Sequence, residues 1–162
     1  MNIERLFCDE KFLDKEFSFF KRHIRLINSN DALICAHFDK CKHNLQFYDL
    51  NKTQKKYADW LLVILYYSLY HACLALLARK GYATKNHYAT LLVLIREYGI
   101  SRDDAQMINA LSVTKSDASL YSQLKEQRHT ASYSTSTISA STVKYFHTRV
   151  IEFINKTDEI IH

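Results

Sequence analysis

The segment from Glu126 to Tyr133, EQRHTASY, combines side chains that can act on a phosphate group. Arg128 carries a planar fork of N–H donors that matches the geometry of phosphate oxygens. His129 has the usual proton-transfer group near neutral pH, whereas a Tyr phenol, with an ordinary pKa of about 10, is a poor base there. As neighbours on a helix, Arg128 and His129 would point about 100° apart. A cation at a helix end also compensates the helix dipole, which is the simpler interpretation of Arg128.

A second group of polar residues, Lys85, Asn86 and His87, precedes an apolar stretch that has helical periodicity. The first backbone N–H groups of a helix have no partner within the helix, and together with a Lys they suit a phosphate or carboxylate. We therefore predict a phosphate or carboxylate contact at Lys85, Asn86 and His87. An ordinary solvated helix start would show the same residues.

Other histidines and cysteines could also carry a function. His71 lies among aromatic residues and is expected to be either a core histidine bonded to a neighbour or a functional group. Cys35, His37, Cys41 and His43 lie within nine residues, but on a helix Cys35 is about 200° from His37, so the four cannot converge on one tetrahedral ion. We predict no metal site, a core position for Cys41, and solvent-facing side chains for His37 and His43.

The composition predicts an all-α fold. The 162 residues contain no Pro and two Gly, too few turn residues for a sheet-rich protein. Two glycines cannot supply a phosphate-binding Gly-rich loop, and no nucleophile motif marks a serine, so no cofactor is predicted. The net charge of +5 permits an anionic partner. A charged N-terminal stretch and cysteines without a disulfide spacing favour a cytoplasmic protein.

The longest apolar stretch predicts a helical hairpin at the centre of a bundle. From Trp60 to Ala78 the chain is apolar on most sides, as expected for a helix that others surround. Its Tyr, Ser and His residues make a buried bundle helix a better interpretation than a membrane span. Gly81 should end this helix, and a second helix should end at Gly99.

The remaining helices complete a single domain over residues 1–162, with residues 1–30 as an N-terminal helical extension and 31–162 as an up-and-down bundle of about five to six helices. Asp31 is a candidate N-cap, and Ser101 with Asp104 forms a candidate capping box. The periodicity places helices at about 9–27, 31–48, 60–78, 87–98, from 101, 116–128 and 142–161, with a loop at 132–141.

The hairpin YYSLYHACLALLARKGYATKNHYATLLVLI, followed by RHTASY and a long last helix, resembles the HEPN proteins. These are small prokaryotic helical bundles named for nucleotide binding in higher eukaryotes and prokaryotes. The resemblance covers about residues 36–153. It implies a homodimer, often a metal-independent ribonuclease, and often a nucleotidyltransferase-like partner in a toxin–antitoxin or defence system.

The ribonuclease members of that family carry an Arg, then a polar residue, then a His a few positions later. Arg128 and His129 match the first two, and Tyr133 stands where the His is expected. The resemblance therefore implies a catalytic group of Arg128, His129 and Tyr133. It favours a dimeric module with weak or lost catalysis that binds RNA or a nucleotidyltransferase-like partner. The nucleic-acid contacts that it implies are Lys85, Asn86, His87 and Arg128. The alternatives are an active RNA endonuclease that uses Arg128 with His129 or Tyr133, and a purely structural assembly bundle.

Overall fold

The computed structural model describes residues 3–112 and 138–162, and this part of the chain is a helical bundle with one small sheet. The all-α prediction is confirmed. In chain order the elements are α1 (Ile3–Cys8), α2 (Glu10–Phe20), β1 (Ile24–Leu26), α3 (Asp31–Asn51), α4 (Ala58–Arg79), β2 (Tyr82–Thr84), α5 (His87–Tyr98), α6 (102–112) and α7 (Ala140–Ile161), with single 3-10 turns at Lys21–His23 and Lys55–Tyr57.

The central hairpin forms as the sequence predicts. Helix α4 packs along α3 and α7 and contributes the largest share of the core, while α5 returns beside it. Gly81 and Gly99 both have positive φ angles, 76° and 54°, a region that side chains with a Cβ rarely enter. Gly99 is the left-handed cap of α5, and its N–H donates to the carbonyl of Ile95.

One face of α4 was predicted wrongly. The sequence indicated a helix enclosed by neighbours, but Trp60 is 60 % exposed and Tyr67 is 39 % exposed. By length and composition α4 could cross a membrane, yet 67 % of its most apolar window is buried inside this fold. The described helices α3, α5 and α7 therefore cover only part of the circumference of α4.

The N-terminal helix is shorter than predicted. Its apolar period continues through Ile24 and Ile27, but helix α2 ends at Phe20, and Ile24 begins strand β1. Strand β1 pairs antiparallel with β2, so that Arg25 lies opposite Ala83 and Leu26 opposite Tyr82. The periodicity failed here because backbone pairing with a distant strand replaced the last helical turns.

Side-chain caps set several helix ends. Asn30, one residue before the predicted Asp31, is the N-cap of α3, and its side-chain oxygen accepts from the N–H of Leu33. Ser101 accepts from the N–H of Asp104 at 3.0 Å, as its predicted cap position requires. Helix α7 starts at Ala140, so the predicted loop ends earlier than expected. Near the end of α7, Ile161 is buried and Ile160 is 42 % exposed.

The cysteines follow their predicted environments where the sequence made a prediction. Cys41 is completely buried, as expected of a core residue, and Cys73 is buried beside it in the core. Cys8 and Cys35 are exposed. The division of the chain into an extension at 1–30 and a bundle at 31–162 stays a prediction, as do the helix at 116–128 and the first part of the loop, which lie outside the described residues.

Candidate anion-binding cavity

A cavity of about 500 Å³ lies beside the N-terminus of α5, where α3, α4 and the small sheet meet. This volume is within the range of small-ligand sites. Its lining residues are Arg25, Leu33, His37, Tyr70, Leu74, Ala78, Tyr82, Ala83, Thr84, Lys85 and His87. None of these lining residues is an acid, so the wall combines cations and imidazoles with aromatic and aliphatic side chains.

Two cations reach this cavity from different parts of the chain. Lys85 follows β2 directly, and Arg25 lies on β1 opposite Ala83, so the strand pairing brings the two cations to one wall. Both side chains belong to exposed residues. Neither forms a salt bridge with any residue of the described ranges 3–112 and 138–162. Two cations on one wall, with no described acid paired to them, provide a favourable environment for an anion.

The turn before α5 is fixed by local hydrogen bonds. The hydroxyl of Thr84 accepts from the N–H of Asn86 at 2.8 Å and donates to its carbonyl. The side-chain oxygen of Asn86 accepts from the N–H of Ala89 at 2.9 Å and caps the helix. Asn86 was predicted to contact nucleic acid; it does not line the cavity, and its side-chain oxygen serves the helix.

His87 is held in the cavity wall by aromatic side chains. The hydroxyl of Tyr66 lies 3.0 Å from Nε2 of His87 and also within hydrogen-bond distance of Nδ1. The ring of Tyr70 lies 4.6 Å from that of His87, centroid to centroid. Burial raises the pKa of the Tyr66 phenol, so it stays protonated and can donate to the imidazole.

A second imidazole of the cavity belongs to a histidine pair. Nδ1 of His37 lies 3.2 Å from Nδ1 of His71, which corresponds to a hydrogen bond between two neutral rings. Burial lowers the pKa of both residues, and the positive charges of a protonated His37 and of Lys40 lower that of His71 further. Both rings are therefore predominantly neutral at pH 7.

The positions of His37 and His71 can be compared with the sequence-based predictions for them. His37 was expected to face solvent, but it is half-buried and bonded to His71, because α3 and α4 pack closely at this point. His71 is bonded to a neighbour, as the simpler interpretation had it. His43 is exposed as predicted. Within the described ranges, no group of three or more His, Cys, Asp and Glu side chains could hold a metal ion.

The structure brings together part of the predicted site. Lys85 and His87 share the cavity, whereas Arg128, His129 and Tyr133 lie outside the described residues, and their roles stay predictions. Sequence reasoning missed Arg25, His37, Tyr70 and Tyr82 as lining residues. No local sequence pattern identifies them as lining residues, because Arg25 and His37 come to the cavity only through strand pairing and helix packing.

Comparisons with known proteins assign no family or function to the chain. No protein-family model matches the chain, and no curated protein matches it significantly. The resemblance to HEPN proteins therefore stays a prediction from the sequence motifs alone.

Proposed function

We propose that this protein is a HEPN-type module that binds single-stranded RNA, with a phosphate of the RNA held by Arg25 and Lys85. The observation that carries this proposal is the cavity lined by these two cations and by His37 and His87, with no acid among its described lining residues. Tyr70 and Tyr82 lie in the same wall and offer aromatic surface, and proteins that bind single strands combine cationic grooves with such surfaces for base stacking. The net charge of +5 favours association with a polyanion.

A direct test measures the affinity of the full chain for a short fluorescent RNA over a series of salt concentrations. Each phosphate contact with a single strand contributes about 0.7 to the slope of log K against log salt. We expect Lys85→Ala and Arg25→Ala each to weaken binding several-fold and to flatten the slope by about 0.7. Lys11→Ala, an exposed cation on α2 that does not line the cavity, is the matched control and should change neither quantity.

The same titration separates the proposal from its alternatives. Unchanged affinity in both cavity variants would contradict the assignment of the cavity, and the RNA site would have to lie elsewhere. Failure of the wild-type chain to bind RNA at low salt would contradict RNA binding itself and favour a purely structural assembly bundle. Arg128→Ala in the same series tests the sequence-based prediction for that residue.

A second candidate function is metal-independent RNA cleavage. Tyr133, in place of the family's histidine, argues for weak or lost catalysis through Arg128. However, His37 and His87 line one cavity beside Lys85, and two imidazoles can serve as base and acid for a 2′-hydroxyl attack on the adjacent phosphate. Cleavage that persists with a chelator and disappears in His37→Ala and His87→Ala would establish this function. Cleavage abolished by Arg128→Ala alone would support the sequence-based catalytic group instead.

Assembly into a homodimer is part of the proposal, with the surface around the α3–α4 connection as the interface. Phe47 and Leu50 lie near the end of α3 and Trp60 near the start of α4, and they are 52 %, 81 % and 60 % exposed. Exposed apolar residues that cluster are typical of interaction surfaces. Sedimentation should give a dimer for the wild type and a monomer for Trp60→Glu, whereas Leu26→Ser, which alters an exposed leucine on β1, should stay dimeric. A nucleotidyltransferase-like partner and a role in toxin–antitoxin or defence systems follow from the resemblance alone.

A further inference from the structure

Between α3 and α4 the imidazoles of His37 and His71 meet through their Nδ1 atoms, with ring centroids 5.4 Å apart. Their Nδ1 atoms are 3.2 Å apart, and the ring planes are inclined by 39°. The residues next to them in sequence, Phe38 and Ala72, are 2 % and 0 % exposed, so the backbone on both sides is anchored in the core. The separation of the two rings is thus set by helix packing rather than by a flexible loop.

We propose that His37 and His71 together bind one divalent transition-metal ion through their Nδ1 atoms. Bonds from zinc to histidine nitrogen are about 2.0–2.1 Å, and two ligands of a tetrahedral ion are then about 3.3 Å apart. The observed separation of 3.2 Å is already close to this value. Metal binding would require the donating ring to carry its proton on Nε2 instead of Nδ1, and both rings to turn until their Nδ1 lone pairs meet at one point.

The surroundings of the pair define the kind of ion. Imidazole suits zinc, copper and nickel, whereas magnesium and calcium prefer oxygen ligands. His37 lines the cavity, which gives an ion access to water or another ligand at its remaining positions. The described part of the chain adds no third His, Cys, Asp or Glu to the pair. The positive charge of Lys40 acts on His71 and opposes a cation. We therefore expect weaker binding than at a four-ligand zinc site, with copper bound most tightly.

Calorimetric titration of the tag-free full chain with NiCl₂ and ZnCl₂ tests the site. The wild type should bind one equivalent of each ion at this site, and His37→Ala and His71→Ala should each weaken that binding at least tenfold. His43→Ala is the matched control, because His43 is an exposed histidine on the same helix. It should leave the affinity unchanged, and MgCl₂ should give no binding. Equal affinity in the wild type and in the His37→Ala/His71→Ala double variant would overturn the proposal.

A thermal measurement separates lost ligation from lost folding. An ion bound to the folded state alone raises the melting temperature, and here it would also join α3 to α4. Zinc should raise the melting temperature of the wild type and of His43→Ala, but not that of His37→Gln or His71→Gln, in which Gln can still hydrogen-bond. An equal rise in both Gln variants would contradict the assignment. The result is independent of whether the cavity binds RNA.

Discussion

The phenolic oxygen of Tyr66 lies closest to Nδ1 of His87, with Nε2 at 3.0 Å, and this contact ties the N-terminus of α5 to the core helix α4. Tyr66 is 2 % exposed, so its hydroxyl has little access to bulk water. His87 in turn forms part of the cavity wall, together with Lys85 and Tyr70. The position of the proposed anion site thus depends on a hydrogen bond that starts in the hydrophobic core.

Replacement of Tyr66 by Phe should destabilise the protein by about 1 kcal/mol, because it removes a hydrogen bond of a buried hydroxyl and preserves the ring. Urea unfolding followed by circular dichroism measures this difference. Tyr57→Phe is the control, since Tyr57 is 47 % exposed, and a surface change should stay within about 0.5 kcal/mol. Equal stabilities of Tyr66→Phe and the wild type would show that the contact contributes nothing net.

Two substitutions of Asn86 should separate helix capping from anion binding. Asn86→Ala removes the cap of α5 and should cost about 1 kcal/mol of stability. Asn86→Asp retains a capping oxygen and should fold about as stably as the wild type, but it places a negative charge next to Lys85 and His87. RNA affinity, measured by fluorescence anisotropy, should therefore fall in Asn86→Asp. A loss of stability in Asn86→Asp as large as in Asn86→Ala would contradict the capping role.

Acidification should destabilise the protein through the pair of His37 and His71. The pKa of each lies below its ordinary value of 6.5 in the folded state, mainly because of burial. The unfolded chain then binds protons first, so this contribution to stability is complete above pH 6.5 and decreases as the pH falls below it.

Urea unfolding at pH values from 7.5 to about 5 tests that dependence. We expect His37→Ala to show a shallower loss of stability than the wild type, and His43→Ala to match the wild type. The pKa of His147 is also lowered by burial, and this residue is retained in all three proteins, so its contribution cancels in the comparison. Identical slopes for His37→Ala and the wild type would exclude the pair as the source.

The two glycines should differ in their tolerance of a side chain. A Cβ at Gly81 would lie 2.9 Å from the carbonyl oxygen of Ile27, and the φ angle there is 76°, so Gly81→Ala meets both a backbone clash and strain. At Gly99 the φ angle is 54°, and among the described residues no atom beyond its chain neighbours lies within 4 Å of the added carbon. Gly99→Ala should therefore cost about 1 kcal/mol, and Gly81→Ala clearly more. Thermal unfolding of the two variants ranks their stabilities. A larger loss of stability in Gly99→Ala than in Gly81→Ala would contradict this prediction.

The sequence alone determined the elements that depend on local chemistry. Gly81 and Gly99 mark helix ends because few other residues adopt positive φ, and Ser101 caps α6 because its hydroxyl satisfies a free N–H group. The buried position of Cys41 followed from the apolar periodicity of α3. Periodicity failed at Ile24, where pairing with β2 competes with the helix, and at Trp60, where a local pattern cannot show which side of a helix its neighbours leave open.

Tertiary structure alone decided the composition of the cavity and of the histidine pair. Arg25 reaches Lys85 through the register of β1 and β2, and His37 reaches His71 through the packing of α3 on α4. These partners are far apart in the chain, and their proximity results from burial of apolar faces elsewhere in the bundle. Local propensities report only near neighbours, so the sequence predicted Lys85 and His87 at a helix start but not the side chains that complete their site.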